Sequence, residues 1–196
     1  MICHKHKCIF IHIPRTAGTS IETCINPNWT FKNFRGEKHI LASTAMKIYR
    51  DYWDDYFKFS FVRNPWDRMV SMSKYGAFYG CQVKSGKLDV MQYQEKFPRA
   101  EIDPRSKSAG DKTAAIHNAV YLNILNEDLD FIGRFENLEE DYQKVCSIIK
   151  CSKPLSHKQA GKSKEDYAKF YDIKTQKLVS KIYRKDIEYF GYEFGE

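Results

Sequence analysis

Several features that would place a chain in a special structural class are absent from this sequence of 196 residues. No apolar run approaches the roughly 20 residues that a membrane-spanning helix needs, so we expect no membrane partner. The first residues, Met1 to Cys8, lead into a strand pattern without a leader-type apolar segment, and we therefore expect a cytoplasmic protein. Neither an internal repeat nor a low-complexity tract is present, which excludes solenoid and fibrous architectures.

A disulfide framework and a zinc site are not indicated either. The six cysteines are scattered along the chain, and in a cytoplasmic protein they are expected to be reduced thiols. The run Cys3-His4-x-His6-x-Cys8 has residue types that bind metals, but no second ligand pair follows at zinc-site spacing. We predict no metal centre.

The composition is that of a globular protein with a full core, at 42% hydrophobic, 15% aromatic and 29% charged residues. The formal net charge is +7, and lysines are dense between Lys150 and Lys169. An excess of positive charge indicates an anionic partner, and a nucleic acid, a nucleotide or an acidic glycan would each fit.

The most informative stretch runs from Cys8 to Ser20. Its first half is rich in isoleucine and phenylalanine, which is typical of a strand buried on both faces, and Pro14 ends that strand. Gly18 allows a tight turn, and Thr19 or Ser20 is expected to cap the following helix.

A strand, a tight loop and a helix N-terminus together form an anion site, because backbone N–H groups and the positive end of the helix dipole face the loop. Arg15 adds a cation, and three residues add hydroxyls, namely Thr16, Thr19 and Ser20. The loop differs from the Walker pattern, since no lysine precedes the hydroxyl pair. Ordinary magnesium-dependent use of ATP is therefore poorly supported.

A second strand-to-helix junction follows the predicted strand Tyr56–Val62. Asn64 is a natural N-cap, Pro65 suits the first helical position and Asp67 lies where a capping-box acid would. We expect this helix to end near Phe78.

The remaining pattern alternates helices with strands. It predicts a strand at Phe131–Phe135, an extended tail at Phe190–Phe194 and helices at Leu41–Trp53, Leu88–Phe97, Thr113–Leu125, Leu138–Lys150 and Lys174–Tyr189. Strands separated by helices predict an α/β fold with three layers, a central parallel sheet with helices on both faces. We predict a single domain over residues 1–196, with an irregular insert around 80–112 that binds the acceptor.

Two of these motifs resemble those of a known family. Ile13-Pro-Arg-Thr-Ala-Gly-Thr-Ser20 is similar to the 5′-phosphosulfate loop of sulfotransferases that use PAPS, 3′-phosphoadenosine 5′-phosphosulfate. The segment Phe61–Ser71 resembles their 3′-phosphate motif, and Ile132–Leu138 and Asp186–Tyr192 resemble their late segments. The similarity is to the branch that includes carbohydrate sulfotransferases.

The resemblance implies a P-loop-like fold, PAPS as sulfuryl donor and PAP as product. It implies that Arg63 and Ser71 bind the 3′-phosphate, and that the 5′-phosphosulfate is bound by Pro14, Arg15, Thr16, Ala17, Gly18, Thr19 and Ser20. Arg15 would stabilise the charge that develops on the leaving phosphate. Many relatives carry lysine at this position, and arginine keeps the charge without donating a proton.

A base is needed to take the proton of the acceptor hydroxyl. His39 is our candidate, because relatives with a catalytic histidine carry it in this region and an imidazole titrates near neutrality. Glu37 is the alternative. We expect His12 and His117 to be structural, while His157 could face the cofactor.

The sequence thus predicts sulfuryl transfer from PAPS to a hydroxyl of an acceptor, with a carbohydrate favoured and another small molecule as the alternative. The first alternative is a P-loop-type kinase for a small molecule or nucleotide, and the second is a non-catalytic basic binding module. No helix-turn-helix or RNA-binding sheet motif is present, so we expect no nucleic-acid partner. The oligomeric state has no sequence signal.

Overall fold

The computed structural model describes residues 1–27, 38–74, 81–90, 119–155 and 166–196. The chain forms two compact units. The first comprises Met1–Val62 and Ile124–Lys162, and the second comprises Arg63–Asn123 and Ser163–Glu196. That all 196 residues form a single domain stays a prediction.

A mixed sheet with mainly parallel pairing is the centre of the first unit. Its strands are β1 (Ile2–Cys3), β2 (Cys8–Ile11), β3 (Phe57–Val62) and β6 (Phe131–Arg134), in the order β1-β2-β3-β6. The pairs β2–β3 and β3–β6 are parallel, and the short β1 adds antiparallel to β2. The predicted α/β fold with a central parallel sheet flanked by helices is confirmed. The antiparallel β1 was not predicted.

The middle strands of this sheet are apolar because their side chains form part of the core of the unit. Every residue of β2 is buried, as predicted for a strand covered on both faces. In β3 the one buried polar residue, Ser60, donates its hydroxyl hydrogen to the carbonyl of Ile11 at 2.7 Å. Gly133 of β6 lies under the Phe61 ring, where a Cβ would be 2.5 Å from the ring. A side chain at position 133 would therefore displace the core.

Four described helices belong to the first unit. They are α1 (Gly18–Ile25), α2 (Ala42–Ile48), α3 (Arg50–Trp53) and α6 (Leu138–Ile149). The single helix predicted for Leu41–Trp53 is wrong, because Tyr49, with φ −107°, separates α2 from α3. Helix α6 begins as predicted and ends one residue earlier, where Lys150 takes a left-handed conformation.

The second unit is built from α4 (Pro65–Ser73), a hairpin of β4 (Gln82–Lys84) and β5 (Lys87–Asp89), α5 (Tyr121–Ile124), α7 (Ile173–Ile182) and α8 (Arg184–Phe190). The hairpin contradicts the start of the predicted helix Leu88–Phe97, since Leu88 is the buried residue of a strand. The rest of that helix, from 91 onward, lies outside the described residues. The single last helix is also wrong, because it is interrupted at Tyr183.

Further boundaries differ from the predictions. Helix α4 ends at Ser73, and residues 75–78 of the helix expected to reach Phe78 lie outside the described part. Of the helix predicted for Thr113–Leu125, the described residues contain Tyr121–Ile124. Phe190 is helical rather than part of an extended tail, and Phe194 packs edge-on against Trp66.

A buried ionic network organises the second unit. The carboxylate of Asp186, fully buried, accepts the backbone N–H groups of Tyr121 and Leu122 at 2.6 and 3.1 Å, and so completes the start of α5. The Arg68 guanidinium lies over the Tyr121 ring at 4.9 Å and donates to the carbonyl of Ala119. Burial raises the pKa of Asp186 to about 6, although the two N–H groups and Arg68 act in the opposite direction.

Within the part of the chain that is described, no helix combines the length and apolar character needed to cross a lipid bilayer.

We predict that Asp186→Ala lowers the free energy of unfolding by about 2–4 kcal/mol, because two buried N–H groups lose their acceptor and Arg68 loses a nearby countercharge. Urea unfolding followed by circular dichroism measures the change. Glu188→Ala, on the exposed side of the same helix, is the matched control and should cost less than about 0.5 kcal/mol. An Asp186→Ala protein as stable as the control would contradict this role.

Candidate active site

The loop between β2 and α1 is shaped by two residues with positive φ. Arg15 has φ 71° and Ala17 has φ 64°, conformations that residues with a side chain seldom adopt. The hydroxyl of the fully buried Thr16 donates to the carbonyl of Ile13 at 2.8 Å and closes the loop. Strained backbone of this kind is concentrated at functional sites. The turn is thus made by Arg15 and Ala17, and the prediction that Gly18 makes it is wrong.

Helix α1 begins at Gly18, so Thr19 and Ser20 lie inside its first turn instead of capping it. Ala17 occupies the N-cap position without a side-chain cap, and its carbonyl accepts the N–H groups of Ser20 and Ile21. The first N–H groups of a helix have no partner within the helix, and the dipole makes this end positive. The predicted anion site at the start of α1 therefore has the expected backbone geometry.

Gly18 is required for a different reason from the one predicted. A Cβ at this position would lie 2.1 Å from Cδ2 and 2.2 Å from Nε2 of His12. The His12 ring is buried directly beneath the first residue of the helix, at 4% exposure. Only glycine permits this approach.

His12 also forms a buried pair with Glu22, one turn further along α1. Its Nδ1 lies 2.9 Å from Oε1 of Glu22, and both side chains are 3% exposed. Burial lowers the pKa of His12, although Glu22 opposes this effect. Burial alone would raise the pKa of Glu22, but His12 and Lys38 hold it below its usual value. We therefore describe the pair as a neutral imidazole that donates its Nδ1 hydrogen to a carboxylate.

Lys38 is a site residue that the sequence analysis missed. Its Nζ donates to the hydroxyl of Thr19 at 3.1 Å and lies 3.6 Å from Oε2 of Glu22. A second cation besides Arg15 thus lies at the positive end of α1. The nearest signal in the sequence was its position beside His39, but nothing in the sequence placed it near Thr19.

The structure places His39 beside the loop in the same unit. Its Nδ1 is 3.1 Å from the backbone carbonyl of His12, and the two rings meet edge to face with centroids 4.4 Å apart. Because a carbonyl only accepts, Nδ1 carries the hydrogen and Nε2 of the neutral ring keeps its lone pair. This is the tautomer that a base acting through Nε2 requires.

The second motif lies in the other compact unit. Asn64 caps α4 through the N–H of Trp66 at 3.1 Å and Pro65 is the first helical residue, as predicted. Arg63 donates from Nε to Asp67 at 2.7 Å, which holds its guanidinium in place. Asp67 is thus bound to Arg63, and Ser71 is a buried residue of the same helix.

The segment near the C-terminus that includes Asp186 supports this second motif through hydrogen bonds. The Tyr121 hydroxyl donates to the backbone carbonyl of Arg63, and the N–H of Tyr121 is held by Asp186. Asn64 donates to the carbonyl of Glu193 at 2.9 Å. The segment that resembles the family near the C-terminus therefore supports the backbone around Arg63.

Two predicted candidates, Glu37 and His157, lie outside the described residues, and so does His117, for which no functional role was predicted. Among the residues that are described, no group of three or more histidine, cysteine, aspartate or glutamate side chains is arranged to hold a metal ion.

Comparison with known proteins assigns a family. The model of the sulfotransferase family matches residues 1–193, which is nearly the whole chain. No curated protein and no solved structure gives a significant match. The family implies a transferase that moves a sulfuryl group.

Neighbouring substitutions in the loop should have opposite effects on stability. We predict that Gly18→Ala lowers the free energy of unfolding by about 1–3 kcal/mol, because the new Cβ overlaps the buried His12 ring. Ala17→Gly should raise it by about 0.5–1 kcal/mol, because glycine adopts φ 64° without strain. Thermal and urea unfolding measure both changes. Two effects of the same sign would contradict the loop geometry.

Proposed function

Because this chain belongs to the sulfotransferase family, we propose that it transfers the sulfuryl group of PAPS to a hydroxyl of an acceptor, a glycan or a small molecule. The observation that carries the proposal is the loop of residues 14–20, with His39 beside it. A helix N-terminus with two cations suits a phosphosulfate, and the adjacent imidazole has the tautomer of a base.

The 5′-phosphosulfate is assigned to the loop from Pro14 to Ser20. Backbone N–H groups of the first turn of α1 would bind its oxygens, and Arg15 and Lys38 would supply positive charge. Thr16 contributes through its backbone, since its hydroxyl hydrogen is already donated to Ile13. The exposed hydroxyl of Thr19 is the side-chain group of this turn that a ligand would reach first.

The 3′-phosphate is assigned to Arg63 and Ser71 on the strength of the sequence motif. Since Nε of Arg63 donates to Asp67, a phosphate at this residue would be bound by the terminal Nη groups. The carboxylate orients the guanidinium while leaving its charge in place.

The reaction requires a proton to leave the acceptor and negative charge to be stabilised on the donor. PAPS supplies the sulfuryl group, whose bond to the bridging phosphate oxygen breaks as the acceptor oxygen binds sulfur. His39 would take the hydroxyl hydrogen at Nε2 while Nδ1 remains bound to the His12 carbonyl. Arg15 and Lys38 would stabilise the charge left on the phosphate.

A P-loop-type kinase is not favoured. The family match is to sulfotransferases, and the loop lacks the lysine that precedes the hydroxyl pair in the Walker pattern. Incubation with radiolabelled PAPS and a panel of glycans and small alcohols tests the proposal, with magnesium and ATP as the comparison. Binding of neither PAPS nor PAP in calorimetry, with no transfer to any acceptor, would refute it.

We expect Arg63→Ala to weaken PAP binding by about 1.5–3 kcal/mol, the usual contribution of a hydrogen bond to a charged group. Isothermal titration calorimetry with PAP measures the loss. Arg184→Ala is the control, because Arg184 is an exposed arginine of the same unit that pairs with Glu188. Equal affinities for the two variants would show that Arg63 does not bind PAP.

His39→Ala should lower turnover by about 100-fold or more while PAP affinity stays close to that of the wild type, because the base acts on the acceptor and not on the nucleotide. Release of PAP from PAPS, measured with whichever acceptor the panel identifies, reports the change. Full activity in this variant would transfer the role of base to Glu37 or to another group.

A further inference from the structure

We propose that His12, through the contacts of its ring with Gly18 and His39 and its buried bond to Glu22, is a positioning residue that holds both the anion loop and His39 in their active arrangement. This inference rests on the proposed function, because it concerns the same site. His12 was expected to be a structural residue of the first strand. The structure instead places it just beyond β2, between the two groups that the reaction would use.

The contacts of His12 with α1 fix where the helix begins. The ring lies against Gly18 closely enough to exclude a Cβ, and Nδ1 is bound to Glu22 one turn later. These two contacts fix the position of the first turn of α1 relative to the end of β2. The N–H groups of that turn are the ones assigned to the phosphosulfate.

The contacts of His12 with His39 fix the candidate base. The backbone carbonyl of His12 accepts from Nδ1 of His39, and the His12 ring packs against the His39 ring. The carbonyl selects the tautomer and the ring contact limits rotation. His12 therefore determines which nitrogen of His39 has the lone pair and where that nitrogen lies.

The charge state of His12 is part of this arrangement. Nε2 lies 2.2 Å from where a Cβ of residue 18 would be, so the ring fills the space beside Gly18. Glu22 accepts the hydrogen on Nδ1 and is itself held by Lys38 at 3.6 Å. Burial lowers the pKa of His12 and so favours the neutral ring, while the bond to Glu22 keeps the ring in one orientation.

The test uses His12→Asn in the full chain. An asparagine side chain retains a donor near the position of Nδ1, so the bond to Glu22 survives, but the part of the ring that contacts Gly18 and His39 is lost. We expect PAP affinity to fall about 10-fold, because the first turn of α1 is no longer held in position. In ¹⁵N NMR spectra the wild-type His39 should show one tautomer, protonated at Nδ1. The variant keeps the carbonyl of residue 12 but loses the ring contact that holds His39 against it, so the His39 ring can rotate away and a mixture of tautomers is expected.

His4→Asn is the matched control. His4 also has a ring nitrogen hydrogen bond, to the hydroxyl of Tyr56 at 2.9 Å, and an edge contact with Tyr52. Its replacement removes the same kinds of contact from an exposed histidine of the same unit, and both PAP affinity and the His39 spectrum should stay at wild-type values. A folded His12→Asn protein that matches this control in both measurements would overturn the proposal, whatever its thermal stability.

A second comparison covers the case in which His12→Asn does not fold. Gly18→Ala leaves His12 present but displaces its ring, and it should reduce PAP affinity and alter the His39 spectrum. If both single variants fold, the double variant should lose less affinity than the two losses combined, because asparagine makes room for the Cβ. A folded Gly18→Ala protein with wild-type affinity and spectrum, or strictly additive losses, would overturn the proposal.

Failure of this inference is distinguishable from failure of the proposed function. The NMR measurement needs no nucleotide, and wild-type binding of PAP tests the donor assignment independently. A wild type that binds PAP while His12→Asn behaves as the control refutes the positioning role alone.

Discussion

The contact between the His12 ring and Gly18 is the constraint on which the candidate site depends. Because the ring lies directly beneath the first residue of α1, the helix begins at a glycine and the preceding loop turns through two residues with positive φ, Arg15 and Ala17. Any larger residue at position 18 would separate the helix from the end of β2. The strain in the loop is thus the consequence of a close approach between strand and helix, and the buried bond from His12 to Glu22 maintains that approach.

The distribution of charge around α1 suits a ligand with more than one negative charge. A cation at the positive end of a helix is unfavourable by itself, and here Lys38 lies near that end with Glu22 as its counterion while Arg15 lies in the loop. A bound phosphosulfate is negatively charged, so both the cations and the positive end of the helix would attract it, and this attraction would offset the repulsion between them. The same carboxylate accepts from His12, so Glu22 links the charge of the loop to the residue that orients His39.

In the second unit, the buried carboxylate of Asp186 has a comparable role. Asp186 holds the start of α5, and Tyr121 of that helix donates to the carbonyl of Arg63. Asp67 holds the side chain of the same arginine. The resemblance near the C-terminus therefore has a physical explanation, because the Asp186 segment supports the backbone of a candidate phosphate-binding residue.

Local patterns in the sequence determined the parallel strands, the cap at Asn64 and the order of strand, loop and helix over residues 8–25, because strand burial and helix capping depend on residues close together in the chain. They did not predict the breaks at Tyr49 and Tyr183, or the position of Lys38, whose contact with Thr19 joins residues 19 positions apart. The β4–β5 hairpin is local, since it pairs residues within Gln82–Asp89, and the helical pattern was the wrong prediction there. The reason for Gly18 was also decided by the tertiary structure. A glycine in a loop indicates a turn when only the sequence is considered, whereas here the neighbouring strand brings a histidine ring into the space of the missing side chain.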